Sequence, residues 1–175
     1  MENDLSGAFI AESRTVLSEG MHKIEHCIGQ LEDGQLWWRP RPEMNSIANL
    51  MLHLSGNVRQ WIVGGIGGAK DDRNRPREFS DRSNRPKTQL LGILQKTVAE
   101  ADAVLAGLTA EQLLAPRRIQ GFQTSVIGAI MSTIPHFRGH VQEIIHITRQ
   151  QLGQKYRFDF VPKGTEQESA GGAAI

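Results

Sequence analysis

Cysteine is almost missing from this sequence: Cys27 is the only one among 175 residues. A single thiol excludes an intrachain disulfide. The start, Met1-Glu2-Asn3-Asp4, is acidic and has no signal-like apolar stretch behind it, so the cytoplasm is the expected compartment. No run approaches the roughly 20 apolar residues that span a bilayer, and a membrane partner is not expected. A surplus of basic charge is lacking as well. Twenty Lys and Arg stand against 19 Asp and Glu, and a net +1 is too little to neutralise a row of phosphates, which argues against a nucleic-acid partner. Aromatics make up only 6%, yet an apolar fraction of 39% is enough for the core of one domain. That domain is expected over residues 1–162. Residues 163–175 read as a flexible tail, small residues fraying from Ser169 to Ile175.

What is present is helical periodicity. Leu5, Phe9, Ser13, Leu17, Ile24 and Ile28 predict a first helix from Leu5 to Ile28, with Cys27 at the edge of its core face as a small inert hydrophobe. Leu36 to Pro42 reads as an extended connection pinned by two prolines. Asn45 or Ser46 caps a second helix that runs through Leu50, His53, Asn57 and Trp61 to about Gly64. From Gly65 to Lys87 no period survives, and seven Lys/Arg against four Asp/Glu make the stretch mildly basic. It reads as a solvated crossover loop, with a lid over a pocket or a contact with an acidic partner as alternatives. A third helix covers Thr88 to Leu105, and Thr109 to Gln112 has the form of a capping box that opens a short helix. Arg117 to Gln123 suits a turn or a brief extended piece. Thr124 or Ser125 then caps a last helix that ends at Gly153, with Pro135 inside it as a kink that widens the space beside His136. Tyr156 to Val161 alternates like an extended strap. The fold class is all-α, a helical bundle.

The chemistry is concentrated in histidine. His136 and His140 are four residues apart in the last helix, stacked on one face beside the apolar stripe, where they could share one metal ion. His53 lies just off the apolar arc of the second helix, next to small Ser46 and Gly56 and polar Asn57 and Gln60, as on the wall of a cavity. His22 and His26 repeat the spacing but point away from the core, and His146 points elsewhere than His136. Three neutral imidazoles suit Zn²⁺, Ni²⁺ or a similar ion and leave a position open for water or substrate, whose pKa the ion lowers. Glu143 points nearly the same way as His136, as a fourth ligand, an acceptor behind a ligand, or a base. Phe137 follows the first histidine, which excludes the His-Glu-x-x-His arrangement of zincin proteases.

Asn45-Ser46-Ile47, His53-Leu54, Gly56-Asn57 and Gln60-Trp61, taken with His136-Phe137-Arg138-Gly139-His140, resemble the DinB-like superfamily of metalloenzymes, in its branch of uncharacterised function. Trp38-Arg39-Pro40 and the Gly121-Phe122 turn strengthen the match, which extends from the first helix through the last. The resemblance implies a four-helix bundle with a long crossover between helices 2 and 3, commonly a homodimer, with a metal triad at His53, His136 and His140. The characterised relatives it implies are thiol-dependent S-transferases using bacillithiol, mycothiol or glutathione, and a maleylpyruvate isomerase. The expected chemistry on a small molecule is thus a thiol-dependent S-transferase or, from the ion's action on bound water, a metal-activated hydrolase. Asn57, Gln60 and Glu143 would then position water or substrate, Asn57 and Glu143 as catalytic groups. The alternative is a non-enzymatic, stress-related binding or dimerisation module.

Overall fold

The computed structural model describes residues 4–160, which are mostly helical. The strap as far as Val161 and the tail beyond it therefore lie partly or wholly outside the described residues. The chain forms α1 (Leu5–Ile28), α2 (Asp33–Trp37), α3 (Ile47–Val58), α4 (Arg75–Ser80), α5 (Lys87–Ala106), α6 (Ala110–Leu113), β1 (Pro116–Ile119), β2 (Phe122–Ser125) and α7 (Val126–Leu152). A π-helical turn over Arg59–Gly64 prolongs α3, and a 3₁₀ turn, Gly153–Lys155, follows α7. No helix among the described residues is long and apolar enough to cross a membrane.

The long helices begin and end where local chemistry allows. Asp4 accepts from the Gly7 amide at the start of α1, Ser46 from Asn49 at α3, and Ser125 from Gly128 at α7, each satisfying an amide that has no partner within its helix. Thr109 and Gln112 form the expected capping box of α6. α1 packs on α5 and α7, and α3 packs on the same two helices from the other side. Between them lie Leu17, Ile24, Ile28, Leu50, Leu54, Leu94, Ala101, Phe137 and Ile144, all buried. Full burial of each larger side chain is worth about 1.5–3 kcal/mol, so this shared seam is the main support of the fold. Cys27 is buried in the same seam.

Two segments differ from the sequence reading. Leu36 and Trp37, expected as extended chain, close the short helix Asp33–Trp37, at whose start the Glu32 amide donates to Gln35 Oε1 at 2.8 Å. α7 stays helical through Pro135, as the sequence reading placed it. Pro135 and Met131, whose carbonyl loses its helical partner there, are both exposed, so water can satisfy that carbonyl. The crossover is not structureless either. Asn74 caps α4 by accepting from the Arg77 amide, and Pro76 sits in the first turn, where its missing N–H costs nothing. Asn49 on α3 holds this short helix by donating from Nδ2 to the carbonyls of Glu78 (2.8 Å) and Asp81 (3.3 Å). Farther along, Trp37 Nε1 donates to the Arg85 carbonyl at 3.0 Å, and Asp33 accepts from the Lys87 amide at 2.9 Å.

The brief extended piece is a β-hairpin, with Ile119 paired to Phe122 across a two-residue turn. Gln120 (φ 52°) and Gly121 (φ 84°) both take the left-handed backbone that such a turn requires. The hairpin carries the Gln120 side chain to the end of α3, where it donates to Oε1 of Gln60.

Candidate metal centre

His53 comes from α3, and His136 and His140 come from consecutive turns of α7, which packs against it. One ring nitrogen from each histidine can be chosen so that all three lie within 4.8 Å of one another. The rings stand almost edge to face, with centroids 5.1, 5.1 and 4.6 Å apart and interplanar angles of 83–90°. His53 is buried, while His136 and His140 are half-buried. His53 Nε2 and His136 Nε2 face each other at 2.9 Å, with room for at most one proton between them.

Carboxylates set two of the tautomers. Nδ1–H of His53 donates to Oε2 of Glu78 at 2.9 Å, which turns the Nε2 lone pair inward. Nδ1–H of His140 donates to Oε2 of Glu143 at 2.8 Å, with the same effect. Histidine ligands to metals are commonly oriented in this way, and the carboxylate makes the imidazole a stronger donor. Of the three roles open to Glu143, its geometry fits the acceptor behind a ligand.

Glu78 is anchored in turn. Arg73 donates from Nε to Oε1 (2.7 Å) and from Nη2 to Oε2 (2.9 Å), a two-pronged pair with side chains only 5% and 9% exposed. Nη2 also approaches His53 Nδ1 to 3.2 Å, but with Nδ1 donating to the carboxylate that approach is not a hydrogen bond. Arg73 Nη1 donates to Gln60 Oε1 at 2.9 Å, and Gln60 Nε2 donates to Asp71. Gln60 thus positions Arg73. Burial works to raise the Glu78 carboxyl, but the hydrogen bonds from Arg73 and His53 outweigh it and hold the pKa below the ordinary range. Gly56 makes room for the pair, since a Cβ there would run into Oε1 of Glu78.

His136 is pushed down to about 4, first by burial and then by the neighbouring His140, His53, Arg73 and Arg75. At neutral pH its imidazole is uncharged, and with His53 protonated on Nδ1 the proton between the two Nε2 atoms belongs to His136, the proton that a metal ion would displace. The donor set fits a divalent ion. Zn–N bonds of about 2.0–2.1 Å at tetrahedral angles put ligand nitrogens roughly 3.3 Å apart, within the spread of separations here. Beside the triad is a cavity of about 260 Å³, lined by Asn57, Trp61, Arg75, Gln120, Ser132 and His136 among others. Asn57 Oδ1 is buried and, among the described residues, has no hydrogen-bond partner.

The remaining histidines are elsewhere. His22 is exposed on α1, His26 Nε2 lies 2.6 Å from the Arg157 carbonyl, and His146 is exposed. Glu78 and Arg73 are the residues that sequence reasoning missed. The signal that could have found them is the helix start at Asn74 and Pro76, which makes Glu78 part of a helix rather than of a charged loop.

A family profile described as "Protein of unknown function (DUF1572)" matches residues 4–165. The chain belongs to the DUF1572 family. No curated protein matches it significantly. Among solved structures, a conserved protein from Enterococcus faecalis superposes with a TM-score of 0.66 at 17% identity, covering 79% of this chain and 94% of its own. A DinB-like protein from Bacillus cereus gives 0.64 at 17% identity, covering 81% and 90%. A DinB-like protein from Bacillus subtilis gives 0.64 at 14% identity, covering 84% and 96%. The resemblance to the DinB-like superfamily carried by the histidine motifs is borne out at the level of the fold, and the family's function is not assigned.

Proposed function

We propose that this protein is a divalent-metal-dependent enzyme acting on a small molecule, with His53, His136 and His140 as ligands and Zn²⁺ or Ni²⁺ as the ion. One observation carries the reading: three imidazole nitrogens converge to within 4.8 Å, two of the rings are fixed from behind by Glu78 and Glu143, and the group opens on a cavity. A bound ion would supply Lewis acidity, lowering the pKa of a thiol or of water. The chain's own residues do the rest. Glu78 and Glu143 hold the ligand rings, Arg73 and Gln60 hold Glu78, and Asn57 offers an unpaired amide oxygen, an acceptor, to the substrate.

Thiol-dependent S-transfer suits this site best, with metal-activated hydrolysis as its companion. In S-transfer a carbon–sulfur bond forms as the electrophile's leaving group departs with its electron pair, and the thiol proton passes to solvent. We place the reaction in a DinB-type four-helix bundle spanning residues 1–162, cytoplasmic and homodimeric.

The test is transfer from bacillithiol, mycothiol or glutathione to monochlorobimane by zinc- or nickel-loaded protein. Turnover that disappears with chelator and in His140→Ala is expected. Absence of transfer with every thiol, together with absence of p-nitrophenyl acetate hydrolysis, overturns the enzyme reading. Folding stability that depends on protein concentration but not on chelator would then favour the binding or dimerisation module.

A further inference from the structure

We infer that the cavity beside the histidine triad takes a small anion, and that Arg75 is the group that selects its negative charge. The inference rests on the metal reading and names the substrate class for that site. Among the described residues, two cationic side chains line the cavity, Arg73 and Arg75, and no aspartate or glutamate does. Arg73 is neutralised by its two-pronged pair with Glu78. Arg75 is different. Among the described residues it forms no ion pair.

Its position is nonetheless defined. The guanidinium lies 5.1 Å from the centroid of the Phe79 ring, and that ring packs on His53 with centroids 4.8 Å apart. The stack His53–Phe79–Arg75 therefore holds a cation at the cavity beside the first ligand histidine. With a divalent ion in place, the walls carry an excess of positive charge, which favours an anionic ligand. Asn57 Oδ1, the one buried side-chain polar atom without a partner among the described residues, belongs to the same cavity. Unpaired polar atoms of this kind mark places where a ligand completes the network. Asn57 Oδ1 is an acceptor and calls for a donor on the ligand, whereas the Ser132 hydroxyl and the Gln120 amide can donate to an anion. The space, about 260 Å³, falls below the roughly 300–1,000 Å³ of pockets that enclose drug-sized molecules, so the ligand, or the end of it that reacts, is small. A carboxylate or similar anionic group on Arg75, with its reactive atom toward the triad, matches the charge and size of the cavity, and a donor elsewhere on the ligand would satisfy Asn57 Oδ1.

The experiment uses cobalt-loaded, tag-free full-length protein and three thiols that differ in the charge of the tail: 3-mercaptopropionate, 2-mercaptoethanol and cysteamine. Visible cobalt absorption reports metal occupancy, and the near-ultraviolet sulfur-to-cobalt band reports thiol binding. At neutral pH and low salt, 3-mercaptopropionate should bind about tenfold or more tightly than 2-mercaptoethanol, with cysteamine weakest. The ammonium group makes the cysteamine thiol the most acidic of the three, so thiol ionisation alone predicts the opposite order. Arg75→Gln, with an unchanged cobalt spectrum, should bring the three affinities to within about twofold, and Arg75→Lys should restore part of the preference. Equal affinities in the wild type, or an anion preference that survives Arg75→Gln, would overturn the inference while leaving the metal site standing. A normal cobalt spectrum with no sulfur band for any thiol also overturns it. Absence of the cobalt spectrum overturns the metal reading and this inference with it.

Discussion

Replacing Glu78 by Gln should separate what the buried carboxylate does for the ligands from what it does for the fold. The substitution keeps the shape of the side chain and removes the charge that accepts from both Arg73 and His53. Arg73, only 5% exposed, is then left as a buried cation without its counter-charge, a situation that typically costs about 3–5 kcal/mol. His53 meanwhile loses the acceptor that fixes its Nδ1–H, and such losses weaken metal binding by about 10–100-fold. The assays are urea unfolding of metal-free protein and zinc competition against a chromophoric chelator. Glu78→Gln should lose stability and affinity together. The double variant Arg73→Gln/Glu78→Gln should recover much of the stability, because no charge remains buried, but not the affinity. Zinc affinity of Glu78→Gln within about threefold of wild type would refute the argument that Glu78 orients a ligand.

The depressed pKa of His136 makes metal-free protein sensitive to acid. Between the unfolded value of 6.5 and about 4 the unfolded chain binds the extra proton, so stability is complete above 6.5 and falls as pH drops through that window, by roughly 3 kcal/mol in full. Urea unfolding at a series of pH values should show this fall, and His136→Phe should flatten it. Gly56→Ala puts a methyl group against the locked Glu78 carboxylate and should cost about 1–3 kcal/mol in thermal unfolding, with weaker zinc binding. Asn74→Ala removes the cap of α4 and should cost about 0.5–2 kcal/mol, seen as faster amide exchange across α4 than across α3.

The long helices were legible because their apolar periods and capping residues act locally. Ser46, Ser125 and the Thr109–Gln112 box cap where their side chains dictate. The histidines were legible for a related reason: a four-residue spacing beside an apolar stripe fixes the direction and depth of His136 and His140, and a place just off the apolar arc of the second helix does the same for His53. Glu78 was harder to see. Its burial depends on Asn49 and Gly56, more than 20 residues earlier, and on an arginine five residues before it that cancels its charge. By composition that stretch is a polar loop, and only the tertiary contacts turn it into a wall of the site. Gln120 is a similar case: the Gly121 turn was visible, but its partner Gln60 was not.

The central claim, that His53, His136 and His140 form a metal site, is tested most directly by the metal content of tag-free protein, measured by inductively coupled plasma mass spectrometry beside His53→Ala and His140→Ala. Near-stoichiometric zinc or nickel in the wild type, lost in both variants, is the predicted result. Wild-type protein that neither retains nor takes up either ion would contradict it and return the three imidazoles to a hydrogen-bonded core.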